Sequence, residues 1–263
     1  MSGVRFLRAL ALGLLLLLGV PWPGLADPWD EPALRDDTPA TLSELAHGSE
    51  EQHDLRGRGG RADEDWFRLR QEPYSSYEVV VDGAAGDVTP IVLQRIAADG
   101  TTVLQSSVAV GVGSVRSLRF ENPTASAVDD QLVVVRSGGC SNKCKAGDVY
   151  RVRFYETTYA SARFNNSGTQ VTVLVLQNPA SYAVSGSVLF WNATGALLET
   201  SPFTLDPKQL LVLNTAVLAG ASGVSGSVTV FHDARYGDLA GKTIALEPAT
   251  GFSFDTPLVH RPR

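Results

Sequence analysis

Residues 163–215 read RFNNSGTQVTVLVLQNPASYAVSGSVLFWNATGALLETSPFTLDPKQLLVLNT. Charge is almost absent from this stretch, and turn residues cut it into short apolar runs. Side chains two positions apart share one face of an extended strand. Val171, Val173 and Val175 therefore lie on one face, and Thr172, Leu174 and Leu176 on the other. Both faces are largely apolar, which predicts a strand inside a sandwich core or at a domain interface. Asn178-Pro179-Ala180-Ser181 ends that run. Val184, Val188 and Phe190 then alternate with Ser185, Ser187, Leu189 and Trp191. Asn192-Ala193-Thr194-Gly195 signals a hairpin, because Asn and Gly tolerate the positive φ of tight turns. Leu210 to Leu213 is a further apolar run, closed by Asn214. Packing is the first reading of the whole stretch, and no catalytic motif stands in it.

Outward from this stretch the punctuation continues. Val184-Ser185-Gly186-Ser187-Val188 recurs forty residues later as Val224-Ser225-Gly226-Ser227-Val228. Each copy leads into a strand with an aromatic, Phe190 or Phe231, and two copies are an echo within one sandwich, too few for an array. Residues 163–263 carry six acidic and six basic side chains, far fewer than the segment before them. Thr157 to Ala162 is the expected boundary, giving domains at 51–157 and 158–263. In the first of these, short strand-like segments are separated by turns such as Asp82-Gly83, Asp99-Gly100 and Gly147-Asp148. Tyr150, Val152 and Phe154 alternate with Arg151, Arg153 and Tyr155, and Phe67 and Leu69 with Arg68 and Arg70. Regular short strands with Gly and Asp turns predict an all-β protein of two β-sandwich domains. The Arg-bearing face reads first as the solvated side of an antiparallel sheet, and second as a grip for an acidic polymer.

The N-terminus reads as a secretory signal over residues 1–26. Arg5 and Arg8 are its basic region, Ala9 to Val20 its apolar region, and Gly24-Leu25-Ala26 its cleavage site. Removing it takes the formal net charge from −6 to −8, because two basic residues and no acid leave. An acidic balance argues against sequence-independent nucleic-acid binding, which draws on Lys and Arg. No later run is long and apolar enough to span a bilayer. Export predicts a disulfide between Cys140 and Cys144, pinning a hairpin tip with a modest local effect. The sequons at Asn165 and Asn192 are discounted, since eighteen Arg against four Lys, with the resemblance below, favour a bacterial source.

Residues 27–50 are acidic, contain proline and are expected to be an extended arm of the first domain. Glu31-Pro32, then Asp36-Asp37-Thr38-Pro39-Ala40-Thr41, then Leu45 and Gly48, together resemble the opening of bacterial pre-peptidase C-terminal domains. Asp63-Glu64-Asp65-Trp66-Phe67-Arg68-Leu69 and Gly147-Asp148-Val149-Tyr150-Arg151-Val152 are similar to two strands of that family. The resemblance covers about half of the mature chain. It implies a jelly-roll-like sandwich carried on secreted proteins and usually non-catalytic, with related collagenase modules binding calcium and an extracellular polymer. The opening departs from the family pattern by lacking its Asn, and no protease domain precedes it. Calcium prefers roughly six to eight oxygen ligands. Glu31, Asp36, Asp37, Asp63 and Asp65 supply them if the arm folds back on the Asp65 strand; otherwise these carboxylates are solvated or cap turns. The second domain is expected to be immunoglobulin-like, similar to uncharacterised domains of secreted bacterial proteins.

The histidines are His47, His53, His232 and His260. His232 and Asp233 are adjacent in a strand and point to opposite faces, so they do not make a base and its orienting partner. No nucleophile elbow, zinc-protease helix or phosphate-cradling loop is present. Asp206, Asp233, Asp238, Glu247 and Asp255 are the carboxylates from which a glycosidase pair in the second domain would be drawn. The sequence therefore predicts a secreted, non-catalytic binding module for an extracellular polysaccharide or protein. A structural envelope protein without a specific ligand is the first alternative, and a hydrolase with a carboxylate site in the second domain is the next. Trp66, Trp191 or Tyr155 in a shallow patch is the feature expected of a binder.

Overall fold

The computed structural model describes residues 36–54, 56, 63–88, 91–111, 114–137, 144–145 and 147–261, side chains excepted at 129–131 and 137. The signal segment, Glu31 and Cys140 lie outside the described residues. The strands are β1 (Glu50–Asp54), β2 (Glu64–Gln71), β3 (Ser75–Ala85), β4 (Ile91–Ile96), β5 (Val103–Ser106), β6 (Val108–Ala109), β7 (Arg116–Asn122), β8 (Val128–Ser137) and β9 (Val149–Glu156). They continue as β10 (Tyr159–Asn165), β11 (Val171–Gln177), β12 (Val184–Asn192), β13 (Leu197–Leu205), β14 (Leu210–Asn214), β15 (Ser225–His232), β16 (Ala240–Glu247), β17 (Phe252–Pro257) and β18 (Val259–His260). Among the described residues, a 3-10 turn at Thr215–Val217 interrupts them. The fold is all-β, as the alternation predicts.

Four antiparallel sheets result. Sheet I runs β1-β9-β3-β7-β6 and sheet II β2-β8-β4-β5, while sheet III runs β13-β12-β15-β10-β18 and sheet IV β14-β11-β16-β17. Among the described residues, no strand up to β9 pairs with one from β10 onward. Between sheets I and II the inward face of each strand supplies one core. Phe67, Leu69, Val133 and Leu93 meet Tyr77, Val79, Leu118, Tyr150, Val152 and Phe154, and Cys144 packs partly buried against them. The strict in-out burial of β9 matches its sequence alternation. A second core lies between sheets III and IV, built on Phe164, Leu174, Leu176, Val188, Phe190, Val228 and Val230.

The echoed Val-Ser-Gly-Ser-Val segments open β12 and β15, which are antiparallel neighbours. Gly186 lies opposite His232 at one end of that ladder, and Gly226 opposite Asn192 at the other. A Cβ on Gly186 would stand 2.3 Å from the Phe231 carbonyl oxygen, and one on Gly226 only 1.7 Å from that of Trp191. The two glycines let two central strands close at both ends, which explains the repeat without an array. The β12–β13 turn uses the expected chemistry: Asn192 Oδ1 accepts from Thr194 N, Thr194 Oγ1 and Ala196 N, and Gly195 sits at φ +81°.

Some expectations need correction. In β11 only the Thr172, Leu174 and Leu176 face is buried, while Val171, Val173 and Val175 are half-buried. Among the described residues the outer face of sheet IV is only partly covered there, so β11 is not fully buried on both sides. Trp66 is no surface aromatic. It is 2% exposed, packed with Ile96, Leu132 and Val134 on the outer face of sheet II, beneath the Arg136 guanidinium. Several arginines of the Arg-bearing face pair with acids on the same surface. Arg151 and Arg153 both bind Asp82 Oδ2, at 2.8 and 3.0 Å, Arg70 binds Glu72 at 2.8 Å and Arg136 binds Glu64 at 3.0 Å. Arg151 and Arg153 share a single carboxylate, and Arg119 of the same alternation turns instead to the Asp233 carbonyl of the second half.

The outer face of sheet III is covered by the first half of the chain. Leu189 and Phe231 point away from the second core yet are buried, where β15 meets β3. Glu78 of β3 is 2% exposed and is the polar anchor of this contact. Its Oε1 accepts from Ser117 Oγ at 2.6 Å and Arg235 Nε at 3.4 Å, and its Oε2 from the Tyr236 backbone N–H at 2.8 Å. Arg119 donates to the Asp233 carbonyl at 2.6 Å and lies over the Tyr182 ring. Beside them a ladder of rings crosses the contact. Tyr155 stacks on Tyr236 at 4.5 Å, Tyr236 on His260 at 4.4 Å, His260 on Tyr159 at 4.5 Å, and Tyr159 on His232 at 5.5 Å. Tyr155 is therefore part of the contact between halves and not of an open patch.

Candidate functional site: an aromatic corner between the two halves

The residues singled out for calcium are only partly gathered. Asp36 and Asp65 meet, but they meet around His53: one ligand atom from each of the three lies within 4.8 Å of the others, and all three residues are buried. His53 Nδ1 is 3.5 Å from Asp36 Oδ2 and 3.7 Å from Asp65 Oδ1, and Nε2 is 3.6 Å from Glu51 Oε2. The imidazole stacks on Tyr150 at 5.7 Å with Phe67 edge-on at 5.1 Å, and the Tyr150 hydroxyl donates to Asp65 Oδ2. Asp63 is buried just before β2, while Asp37 is exposed. Among the described residues the donor set does not fit calcium. A nitrogen stands where the two carboxylates converge, one Asp65 oxygen already takes a hydroxyl, and roughly six oxygens are wanted. Asp36, His53 and Asp65 also make further contacts of their own. The arrangement is that of an imidazole held among acids, which fixes the strand leaving the acidic arm. Sequence reading passed over His53. The register that sets it opposite Tyr150 is a property of the β1–β9 pair, not of either segment.

The melting midpoint of the mature protein is accordingly expected to be the same in calcium and in chelator. A ligand at 100 times its dissociation constant stabilises by about 2.7 kcal/mol. A rise of that size in calcium would mean that oxygen donors outside the described residues complete a shell.

The second-half carboxylates are not assembled as a glycosidase pair would require. Asp233 Oδ1 accepts the Ser185 N–H at 2.8 Å, Asp238 the Tyr182 hydroxyl at 2.8 Å, and Glu247 the Ala249 N–H at 3.3 Å. Asp255 pairs with Lys242 at 2.6 Å on an exposed strand, and Asp206 is exposed in a turn. His232 is fully buried, and burial drives its imidazole down to about 3, so it stays neutral at ordinary pH. Asp233 does line a cleft of about 680 Å³ between the halves, which it shares with Glu121 of the first half.

Burial, with Asp233 adding to it, pushes the Glu121 carboxyl up to about 7. Its value in the folded chain is thus above the ordinary 4.5. Between those two values the folded state holds the extra proton, so stability falls as pH rises through that window. Below 4.5 both states are protonated and the cost vanishes. Glu121→Gln is expected to raise stability by roughly 2 kcal/mol at pH 8, allowing for partial exposure, and to change little at pH 4. Urea titrations of both proteins at the two pH values check it; an equal gain at both would show that ionisation is not the cause.

A third feature has the character of a binding site. Tyr74, in the β2–β3 turn, and Trp191, at the end of β12, meet edge to face with ring centroids 5.1 Å apart and planes at 69°. They form a corner of a cleft of about 700 Å³ between the halves, with Glu72, Glu156, Thr229 and Arg261 among its walls. Each ring is fixed from behind. The Trp191 indole N–H donates to Thr229 Oγ1 at 3.1 Å. Tyr74 sits at φ +50°, a conformation that costs a non-glycine residue about 1–2 kcal/mol and is kept only where the surroundings impose it. Buried Asn122 supplies much of that constraint, donating to the carbonyls of Glu72 at 3.0 Å and Ser126 at 2.8 Å. From the second half, Arg261 donates to the Pro73 carbonyl at 3.1 Å and pairs with Glu156 at 2.6 Å. The sequence reading named Trp191 as a candidate binding aromatic; it did not find Tyr74, whose partner comes from a distant strand.

No protein-family model matches the chain, and no curated protein does. Among solved structures, the chain is similar to the pre-peptidase C-terminal domain of a collagenase from Bacillus anthracis. Identity is 11%, the TM-score is 0.32, and the match covers 43% of this chain and 92% of that domain. A β-glucuronidase of Bacteroides uniformis matches at 11% identity and TM-score 0.20, over 74% of this chain and 26% of its own. A glycosyl hydrolase family 2 member from Bacteroides cellulosilyticus matches at 9% identity and TM-score 0.20, over 91% of this chain and 30% of its own. Likenesses this remote assign no relationship and no activity.

Proposed function

We propose that this chain is an exported, non-catalytic binding module whose two β-sandwiches, residues 51–157 and 158–263, frame a site for an extracellular polymer. The observation that carries the reading is the Tyr74–Trp191 corner, two rings from different halves held in a cleft of about 700 Å³. A ligand site of that size, with aromatic surface and a few fixed polar groups, is what recognition of an extended molecule asks for. Of the second-domain carboxylates from which a hydrolase pair would be drawn, Asp233, Asp238, Glu247 and Asp255 are engaged in backbone or side-chain bonds, which supports the non-catalytic reading. Cleavage after Ala26 and a Cys140–Cys144 bridge complete the proposal, and intact-mass measurement of exported protein with and without reductant and alkylation tests both.

The functional test is retention. Mature protein is passed over immobilised collagen, cell-wall glycan and chitin beside Trp191→Ala, with the fold of the variant verified by its melting midpoint. Retention of the parent on at least one polymer, lost in the variant, is expected. Failure to bind any of them, or binding indifferent to Trp191, would overturn this reading and favour a structural envelope protein.

A further inference from the structure

Building on that reading, we infer that the polymer is a neutral polysaccharide, which lays a sugar ring against the Tyr74–Trp191 corner and its hydroxyls against the polar walls of the cleft. The class follows from what the cleft offers. The face of a pyranose ring is a patch of C–H bonds around which hydroxyls radiate. It needs a flat apolar surface with hydrogen-bonding groups beside it, and aromatic rings with a polar surround meet that need. Here the two rings stand at 69° to one another, so one supplies a floor and the other a wall. Ser227 and Thr229 are next to the indole on β15, and from the first half Glu72 brings a carboxylate acceptor, while buried Glu156 is engaged by Arg261.

Charge separates neutral from acidic chains. Arg261 is the cation in this wall, and it is consumed: it donates to the Pro73 carbonyl at 3.1 Å, contacts Ser75 Oγ, and pairs with Glu156 at 2.6 Å. A uronic acid or sulfate here would find Arg261 already paired with Glu156 and would lie beside the Glu72–Arg70 pair, with no cation of this wall left to receive its charge. A neutral polyol, by contrast, needs no countercharge and can donate to the exposed Glu72 carboxylate beside its pair with Arg70, and such charge-assisted hydrogen bonds are stronger than neutral ones. A polypeptide is the other extracellular polymer. Aromatic grooves do hold proline-rich segments, but such a segment has few donors for Glu72, Ser227 and Thr229. The sugar chain satisfies more of the cleft.

The corner is also preformed. The Tyr74 backbone is held at φ +50°, its ring packs on Trp191, and the indole is pinned by Thr229, so little ordering remains for binding to impose. Because one ring comes from each half, affinity depends on the halves staying together as well as on the rings.

The test is affinity electrophoresis of the mature chain in gels containing hydroxyethylcellulose, mixed-linkage β-glucan, xylan, alginate or gelatin. Parent protein is compared with Trp191→Ala, Trp191→Phe and Tyr74→Ala. Retardation by at least one neutral polysaccharide is expected, weakened tenfold or more in Trp191→Ala and only a few-fold in Trp191→Phe, with none in alginate. Trp191→Phe keeps a ring in place, so it holds the test open if the alanine variants fail to fold. Retardation in gelatin alone, lost in Trp191→Ala, would overturn the sugar assignment while leaving the cleft as a binding site. Retardation in alginate equal to that in the neutral gels would overturn the charge argument and the assignment with it. Neutral-gel retardation unchanged in every variant would overturn the cleft itself.

Discussion

Glu78→Ala is expected to cost about 3–5 kcal/mol, the range for breaking a buried charged contact by removing one partner. The carboxylate is 2% exposed and holds three donors at once: the Ser117 hydroxyl, the Arg235 guanidinium and the Tyr236 backbone N–H. Truncation leaves those donors facing a buried gap, and an unsatisfied buried group costs its full desolvation. Since the first of these donors belongs to the same half and the other two to the opposite half, the loss falls on the contact between the halves. Differential scanning calorimetry is expected to show the single transition of the parent separating into two in the variant. Glu78→Gln keeps an acceptor for Tyr236 and loses less. A variant with one unchanged transition would show that the ring ladder alone holds the halves together.

Gly226→Ala is expected to cost about 3 kcal/mol or more, at or beyond the upper end of ordinary overpacking. The added Cβ would stand 1.7 Å from the Trp191 carbonyl oxygen and 2.8 Å from its carbon, so β12 and β15 cannot stay in register contact at that end. Both are inner strands of sheet III, and neither contact atom is the end of a movable side chain. The strain is relieved only by shifting the backbone at Trp191, the residue that forms one wall of the cleft. Loss of glycan retention is therefore expected even under conditions where the variant remains folded. Gly147→Ala is the control, because a Cβ there meets nothing within 4 Å. Urea denaturation of the two variants compares them; equal stability would mean that the strand pair yields more easily than its hydrogen bonding allows.

Both predictions depend on relations that lie far apart along the chain, and this divides what was legible from what was not. Strand alternation is a local property with a period of two, so Tyr150, Val152 and Phe154 announced their inward face and Asn192 to Gly195 their turn. The two Val-Ser-Gly-Ser-Val segments were visible as an echo, but their meaning was not. It needed the antiparallel pairing that sets Gly226 opposite Asn192 and brings a Cβ site against the Trp191 carbonyl. The acidic residues of the arm were legible as acids, whereas the imidazole between Asp36 and Asp65 depended on the register of β1 against β9. Composition and alternation thus determined the strand class, the turns and the two apolar cores. Tertiary structure alone decided that the arginine face is spent on Asp82, Glu72 and Glu64, that Trp66 is buried, and that Tyr74 meets Trp191. The reason is physical: a residue's own neighbours fix which way its side chain points, but only the packing of one sheet on another fixes what it points at.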